Sequence, residues 1–158
     1  MQRNNIHQDL LGRWSAITYT RNNKSILFIT VYRVPDTSDP GPTCSCSQYN
    51  TILGSVHQAK HFREQLLTEI AEYVHDRNDI DEIILCEDLN QPLYHDRIRE
   101  FFLELGIFDV FSTHCEIGLK DRSKTYVRGQ NCIDTVAVTY NLLPYISKIK
   151  LLPFATVV

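Results

Sequence analysis

Apolar and polar residues alternate in the first part of the chain with the period of a β-strand. Residues 14–20 loosely alternate and are rich in β-forming side chains, and residues 25–32 form a second, more apolar run. Because only the polar turn at residues 21–24 separates the two runs, they predict an antiparallel hairpin. Residues 1–8 are polar, and we expect them to be disordered.

The pattern changes after the hairpin. Residues 33–47 predict a surface loop, since they contain three of the six prolines. From residue 47 to residue 74 the pattern predicts an amphipathic helix, with apolar positions at Phe62, Leu66, Ile70 and Val74. His57 and His61 have the four-residue spacing of a metal-binding pair. No acidic third ligand is evident near them, so an ordinary structural role is favoured.

The apolar run at residues 83–86 leads into Glu87, Asp88, Leu89 and Asn90 and predicts a buried central strand. Since side chains alternate along a strand, Asp88 and Asn90 should share one face. A carboxylate can bind a hard cation or take a proton, and an amide can hold an oxygen without adding charge. The pair therefore suits a metal or phosphate site. That it only caps a strand or starts a turn is an equally good interpretation of this stretch.

After the central strand the pattern predicts a second helix that ends at Gly106. Its apolar side chains should face the core: Ile98, Phe101, Phe102 and Leu105. Residues 107–111 predict a short strand, and residues 132–138 predict another with Asp134 near its start. A helical turn at residues 142–146 and a strand at residues 149–152 would complete the chain. This mixed order predicts an α/β or α+β sheet with helices on an outer face.

Composition narrows the class of protein. The 158 residues, 43% of them hydrophobic, predict a single soluble domain. The five cysteines have no zinc-site spacing, which favours reduced thiols and an intracellular location in cytoplasm or nucleus. We find neither a signal peptide nor an apolar run of about 20 residues, so no membrane partner is expected.

The net charge of −3 is not that of a tight, non-specific nucleic-acid binder, although a nuclease with a few basic residues and a metal remains compatible. Basic residues concentrate in a predicted loop at residues 112–130. The loop is either a solvated surface or a phosphate-facing rim, in which Arg122 and Arg128 would bind the substrate.

Three segments, in order along the chain, resemble the endonuclease/exonuclease/phosphatase superfamily, which has the fold of deoxyribonuclease I. The first is a strand that ends in Tyr32 and is followed by Pro35. The second, residues 84–90, is similar to the family's apolar-Gly-Asp-Phe-Asn strand, and the third, residues 125–134, is similar to the segment that leads into its Ile-Asp strand. The likeness covers residues 10–158. Gly12-Arg13-Trp14, with Val31-Tyr32-Arg33, looks most like the retroelement- and reverse-transcriptase-associated branch.

The resemblance implies a four-layer α/β/β/α sandwich and metal-dependent hydrolysis of phosphate esters, with Mg²⁺ or Mn²⁺ as cofactor. By resemblance Asp88 would bind the metal and orient or deprotonate the attacking water, while Asn90 would hold the phosphate or that water. Tyr32 would contact the phosphate or steady the leaving oxygen. Asp134 would occupy the acidic strand position near the site. Nucleic acid, DNA rather than RNA, would be the partner.

The sequence departs from the family pattern in three respects. We find no candidate for the family's N-terminal metal-binding Glu, and none of the six histidines has the context of its C-terminal catalytic His. Glu87 stands where the family has Gly, and as the neighbour of Asp88 it should face away from the site. We therefore expect an incomplete sandwich over residues 9–158, with one sheet largely lost and an exposed apolar face prone to self-association.

Whether the chain is an enzyme stays open on the sequence alone. One hypothesis is a metal-dependent phosphodiester hydrolase, nuclease-like and derived from a retroelement. A second is a catalytically inactive, truncated remnant, because catalytic groups act as a unit and losing two together removes most of their effect. A third, from a different class, is an unrelated α/β binding module whose matches to the family are chance.

Overall fold

One mixed sheet with helices packed on one face forms the described part of the chain. The computed structural model describes residues 6–9, 12–35, 59–121, 123–125 and 130–150. The elements are β1 (Ile6–Gln8), β2 (Trp14–Arg21), β3 (Lys24–Tyr32), α1 (Ala59–His75), β4 (Glu82–Asp88), α2 (Asp96–Leu105), β5 (Ile107–Asp109), α3 (Val110–Cys115), β6 (Asp134–Thr139) and a 3₁₀ helix (Tyr140–Tyr145). The six strands lie in the order β1-β2-β3-β4-β6-β5. β3 and β4 are parallel, and the other neighbouring strands are antiparallel.

The core lies between the sheet and helices α1 and α2. Alternate residues of β3 and β4 point into it, as the predicted apolar runs require. The fully buried side chains at its centre are Leu27, Ile29, Leu67, Ile70, Leu85, Ile98 and Phe101. α1, at 17 residues, is the longest described helix. Not one of the described helices has both the length and the apolar character needed to cross a membrane.

The predicted second helix is confirmed as α2. Its apolar positions Ile98, Phe101, Phe102 and Leu105 are all buried. Gly106 ends the helix in the left-handed conformation, at φ 63°, and its N–H donates to the carbonyl oxygen of Leu103 at 3.2 Å. Glycine adopts this conformation at little cost, which is why it is the usual residue just beyond a helix.

Strand β1 corrects the expectation of disorder for residues 6–8, while residues 1–5 lie outside the described residues. Ile6–Gln8 pairs antiparallel with β2, with Ile6 opposite Ile17. The His7 ring lies 4.5 Å from the Trp14 ring and 4.6 Å from the Tyr73 ring of α1. Tyr73 is distant from His7 in the sequence, so the polar local composition did not reveal the strand.

Other boundaries also differ from the predictions. Residues 110–115 form helix α3 rather than the end of a strand and the start of a loop. Asp109 initiates this helix, because its Oδ2 accepts a hydrogen bond of 2.6 Å from the Ser112 N–H. Residues 149–150 are not in a strand, and residues 151–152 lie outside the described residues. Residues 47–58, the first part of the first predicted helix, also lie outside the described residues.

The second face of the sheet, called here the open face, is covered by described residues only in part, since Val138 on this face is 3% exposed. Phe28, Phe108 and Val136 on this face are 37%, 42% and 39% exposed, although strand residues of this kind are usually buried. The described residues therefore supply one sheet and the helices on one side of it. A second sheet is not among them.

Candidate functional site

Three of the predicted site residues lie side by side at one end of the sheet. The parallel pairing of β3 and β4 places Tyr32 opposite Asp88, and the antiparallel pairing of β4 and β6 places Asp88 opposite Asp134. Residues that are register partners share a face and lie about 5 Å apart. Tyr32, Asp88 and Asp134, called here the site row, therefore converge on the open face.

Asn90 lies just beyond the site row, in a turn that its own side chain stabilises. Its φ is 47°, a left-handed conformation that asparagine tolerates better than most residues. Its N–H donates to Asp88 Oδ1 at 3.1 Å, and its side-chain Nδ2 donates to the Arg33 carbonyl oxygen at 2.9 Å. These bonds fix the amide next to the Asp88 carboxylate.

The negative charge of Asp134 acts on the Asp88 carboxylate beside it. Burial raises the pKa of Asp88, the negative charge of Asp134 raises it further, and the hydrogen bond from the Asn90 N–H partly opposes both. A cation between the two carboxylates would relieve this repulsion. The described residues contain no group of three His, Cys, Asp or Glu side chains placed to hold a metal ion. Two carboxylates still fit Mg²⁺, which usually keeps several waters and binds one or two carboxylates together with substrate phosphates.

Arg33, which the sequence did not mark as a site residue, connects the site to the helices. It is 1% exposed and follows Tyr32 directly. Its Nε donates to the Arg63 carbonyl oxygen at 3.1 Å, its Nη2 donates to Glu64 Oε1 at 2.7 Å, and it also donates to the Gln91 side chain. The Arg33 N–H donates to the Asp88 carbonyl oxygen at 2.8 Å. One guanidinium thus ties the ends of β3 and β4 to α1.

Thr125 anchors the beginning of β6 and so fixes Asp134. Its hydroxyl oxygen accepts hydrogen bonds from the Ile133 and Asp134 N–H groups at 3.0 and 3.1 Å. Thr125 lies in the third segment that resembles the superfamily, but no sequence pattern marked it as a site residue. Arg122, Arg128 and His57 lie outside the described residues, as does the side chain of His61.

Glu87 faces the helices rather than the site row, as expected from its position beside Asp88. It is buried, and neither of its carboxylate oxygens has a hydrogen-bond partner among the described residues. Burial raises the pKa of Glu87 well above its usual value, and the charges of Asp109 and Asp134 raise it further. Burial therefore favours the neutral form of this carboxyl group, which points away from the site row.

We expect Glu87→Gln to stabilise the fold increasingly as the pH rises. Because the pKa of Glu87 is higher in the folded than in the unfolded chain, the wild-type stability is fully present below the unfolded pKa and is lost as the pH rises through the folded pKa. Each pH unit between the unfolded and the folded pKa costs about 1.4 kcal/mol. The glutamine cannot ionise, so the melting temperatures of variant and wild type should diverge in thermal melts from about pH 5 to pH 9. A difference independent of pH would contradict this.

Comparison with known proteins identifies the fold. No protein-family model matches the chain, and no curated protein sequence matches it. The structure of a 3′ phosphatase, NExo, from Neisseria, bound to a product DNA hairpin, aligns with 16% identity and a TM-score of 0.56, over 89% of this chain and 60% of that one. An AP endonuclease from Archaeoglobus fulgidus aligns with 14% identity and a TM-score of 0.54, also over 89% of this chain and 60% of that one.

At these identities the likeness shows the fold alone, and the fold is that of the endonuclease/exonuclease/phosphatase superfamily. The predicted fold class is therefore confirmed. The chain spans 60% of the length of these two solved structures.

Proposed function

We propose that this chain, which has the endonuclease/exonuclease/phosphatase fold, carries the site of a metal-dependent phosphodiester hydrolase that acts on nucleic acid. The observation that carries the proposal is the site row. The registers of three neighbouring strands bring Tyr32, Asp88 and Asp134 to one end of the sheet, and Asn90 is bonded to Asp88 there. Phosphodiester hydrolysis needs an aligned water, a base and groups that offset the phosphate charge.

The chemistry of each side chain supports a separate role. Asp88 accepts a proton from the attacking water, and its raised pKa brings this carboxylate closer to the value of an effective general base. The amide of Asn90 holds that water or a phosphate oxygen. The Tyr32 side chain is 40% exposed on the open face, so its O–H can donate to a phosphate oxygen or to the leaving oxygen.

Asp88 and Asp134 would hold Mg²⁺ or Mn²⁺. When bound, such an ion offsets the negative charge of the phosphate and polarises the bond that breaks. Hard divalent cations prefer oxygen ligands, and the site row presents two carboxylates on one face.

DNA is the proposed substrate, rather than RNA. Support comes from the two solved structures named above, an AP endonuclease and a phosphatase bound to a DNA hairpin. Arg122 and Arg128 are proposed to bind the DNA phosphates.

An origin in a retroelement-associated protein stays a prediction that rests on the Gly12-Arg13-Trp14 and Val31-Tyr32-Arg33 segments. The partial domain over residues 9–158 also stays a prediction.

A second candidate function is a remnant that keeps the fold without the activity. The observation that favours it is the metal-ligand count: among the described residues no third carboxylate joins the site row. In that case the chain would bind a divalent cation weakly and would not hydrolyse phosphodiesters.

Binding of terbium, a hard oxygen-seeking cation whose emission is sensitised by a nearby tyrosine, tests the metal site without requiring activity. We expect sensitised emission with wild-type chain, displacement by excess Mg²⁺ or Mn²⁺, and loss of emission in Asp134→Asn, because that variant removes one of two ligands. Asp76→Asn, at an exposed residue after α1, is the matched control and should behave as wild type. Equal emission from Asp134→Asn and wild type would contradict the assignment.

A further inference from the structure

Tyr94 lies at the same end of the sheet as the site row. It follows the end of β4, where Asp88 is the last residue of the strand. Directly before Tyr94, the Leu93 N–H donates to the Cys132 carbonyl oxygen at 3.4 Å, and Cys132 is two residues before Asp134. Two residues of extended chain span at most about 7 Å, so Tyr94 lies beside the segment that leads into the site row.

The Tyr94 ring is fixed in position at the surface. The His95 N–H donates to the Pro92 carbonyl oxygen at 3.0 Å, which closes a turn around Tyr94, and the neighbouring Leu93 is buried in the core. The Tyr94 O–H donates to Asn131 Oδ1 at 3.2 Å. The tyrosine is nevertheless 37% exposed. A fixed and exposed aromatic ring can bind a flat partner at a low cost in conformational entropy.

A cationic side chain lies over this ring. Lys120 Nζ is 5.8 Å from the centre of the Tyr94 ring, and Lys120 is exposed. Lys120 makes no ion pair with any residue that the structure describes. Its acidic neighbour Asp121 turns its carboxylate towards Gly118, where a Cβ would lie 2.7 Å from Asp121 Oδ2. The ammonium group of Lys120 can therefore pair with an anionic group of a ligand.

An aromatic ring beside an ammonium group suits one nucleotide of an unpaired strand. A base of any identity can stack on the ring, and the ammonium group can pair with a phosphate. In a duplex the faces of the bases are already stacked on one another, so a side chain cannot reach them. Asp96, which is close to Tyr94 in the sequence, has Arg99 Nη1 3.7 Å from its Oδ1, so its charge is balanced.

We propose that Tyr94 and Lys120, called here the stacking pair, bind an unpaired nucleotide of the DNA strand whose phosphodiester lies at the site row. The inference rests on the proposed function and deepens it, because the substrate becomes a strand that is unpaired beside the bond to be broken. Asn131, which holds the tyrosine O–H, is at most about 11 Å from Asp134, or about three nucleotides at 3.4 Å each. The stacked nucleotide therefore lies within about three positions of the scissile phosphate.

Fluorescence anisotropy of a labelled DNA strand of about 12 nucleotides, titrated with the full chain in a chelator, tests stacking without hydrolysis. We expect Tyr94→Ala to raise the dissociation constant about ten-fold, because the stacking of one base is lost. Tyr94→Phe keeps the ring and should stay within about three-fold of wild type. The affinity for a blunt-ended duplex of the same sequence should not change in Tyr94→Ala.

The matched control for Tyr94→Ala is Tyr145→Ala. Tyr145 is 84% exposed and ends the 3₁₀ helix that follows β6, whereas Asp134 begins that strand. Tyr145→Ala should bind the single strand as tightly as wild type. Circular dichroism should show both variants folded.

The role of Lys120 is tested by the dependence of binding on salt. Lys120→Gln should reduce the slope of the logarithm of affinity against the logarithm of salt concentration by about 0.7, the value for one phosphate contact on a single strand. Tyr94→Ala should leave this slope unchanged, since stacking releases no counterion. Lys148→Gln, at an exposed lysine after the 3₁₀ helix, is the control and should keep the wild-type slope.

Four results would overturn the proposal: no binding of the single strand up to about 100 μM chain, wild-type affinity in Tyr94→Ala, an equal loss in Tyr145→Ala, or an unchanged slope in Lys120→Gln. The proposed function fails separately. A chain that binds as expected but does not hydrolyse a chromogenic phosphodiester would contradict the hydrolase and leave the stacking pair in place. A chain that hydrolyses it, with a strand affinity independent of Tyr94, would do the reverse.

Discussion

Replacing Asp88 by asparagine should lower the rate of metal-dependent phosphodiester hydrolysis by at least about 1,000-fold. The substitution keeps the size of the side chain and the hydrogen bond from the Asn90 N–H, but it removes a proton acceptor and half of the carboxylate pair. Initial rates on a chromogenic phosphodiester, with Mg²⁺ or Mn²⁺, measure the loss.

The control for Asp88→Asn is Asp76→Asn, which neutralises a carboxylate outside the sheet. It should retain the wild-type rate. Thermal melts should show both variants folded, with Asp88→Asn no less stable than wild type, since burial and the charge of Asp134 both raise the Asp88 pKa and the variant removes the charge that they disfavour. Wild-type rates in Asp88→Asn would remove Asp88 from the mechanism.

Replacing Arg33 by leucine should lower the free energy of unfolding by about 2–4 kcal/mol. The buried Arg63 carbonyl oxygen would lose its hydrogen bond without regaining water, whereas Glu64 is 43% exposed and stays solvated. Here Glu64, the Arg63 carbonyl oxygen and the Gln91 side chain would all lose a donor. Urea denaturation followed by circular dichroism gives the free energy.

Arg99→Leu is the matched control for Arg33→Leu. Arg99 is 59% exposed and lies 3.7 Å from Asp96 Oδ1, one turn away on α2, so its loss should cost less than about 1 kcal/mol. If Arg33→Leu costs no more than Arg99→Leu, Arg33 does not hold the ends of β3 and β4 to α1.

The sequence was sufficient for those parts of the fold and site that depend on local pattern. The alternation of polar and apolar residues predicted the hairpin of β2 and β3, and the glycine at position 106 predicted the end of α2. The placement of Asp88 and Glu87 on opposite faces of β4 followed from the two-residue period of a strand. Local pattern alone did not predict that Tyr32, Asp88 and Asp134 converge. That prediction relied on the order of the three segments that resemble the superfamily.

The remaining features depend on contacts between residues that are far apart in the sequence. Strand β1 is held by Ile17 of β2 and by rings that include Tyr73 of α1, and none of these could be paired with Ile6–Gln8 in advance. The burial of Arg33 depends on α1 lying over the end of β3. The cap of α3 is an exception, because the Asp109 side chain accepts from the Ser112 N–H only three residues away, and the loop-like composition of residues 112–130 concealed it. The roles of the site residues themselves stay predictions.

Nicking of supercoiled plasmid DNA by the purified chain tests the central claim most directly. The proposal predicts that Mg²⁺ or Mn²⁺ supports conversion of supercoiled to open-circular DNA, that a chelator abolishes it, and that Asp88→Asn purified in parallel does not nick. Absence of nicking with either metal would contradict the claim and favour the inactive remnant. Equal nicking by wild type and Asp88→Asn, or nicking that persists in the chelator, would show that the Asp88 and Asp134 site is not its source.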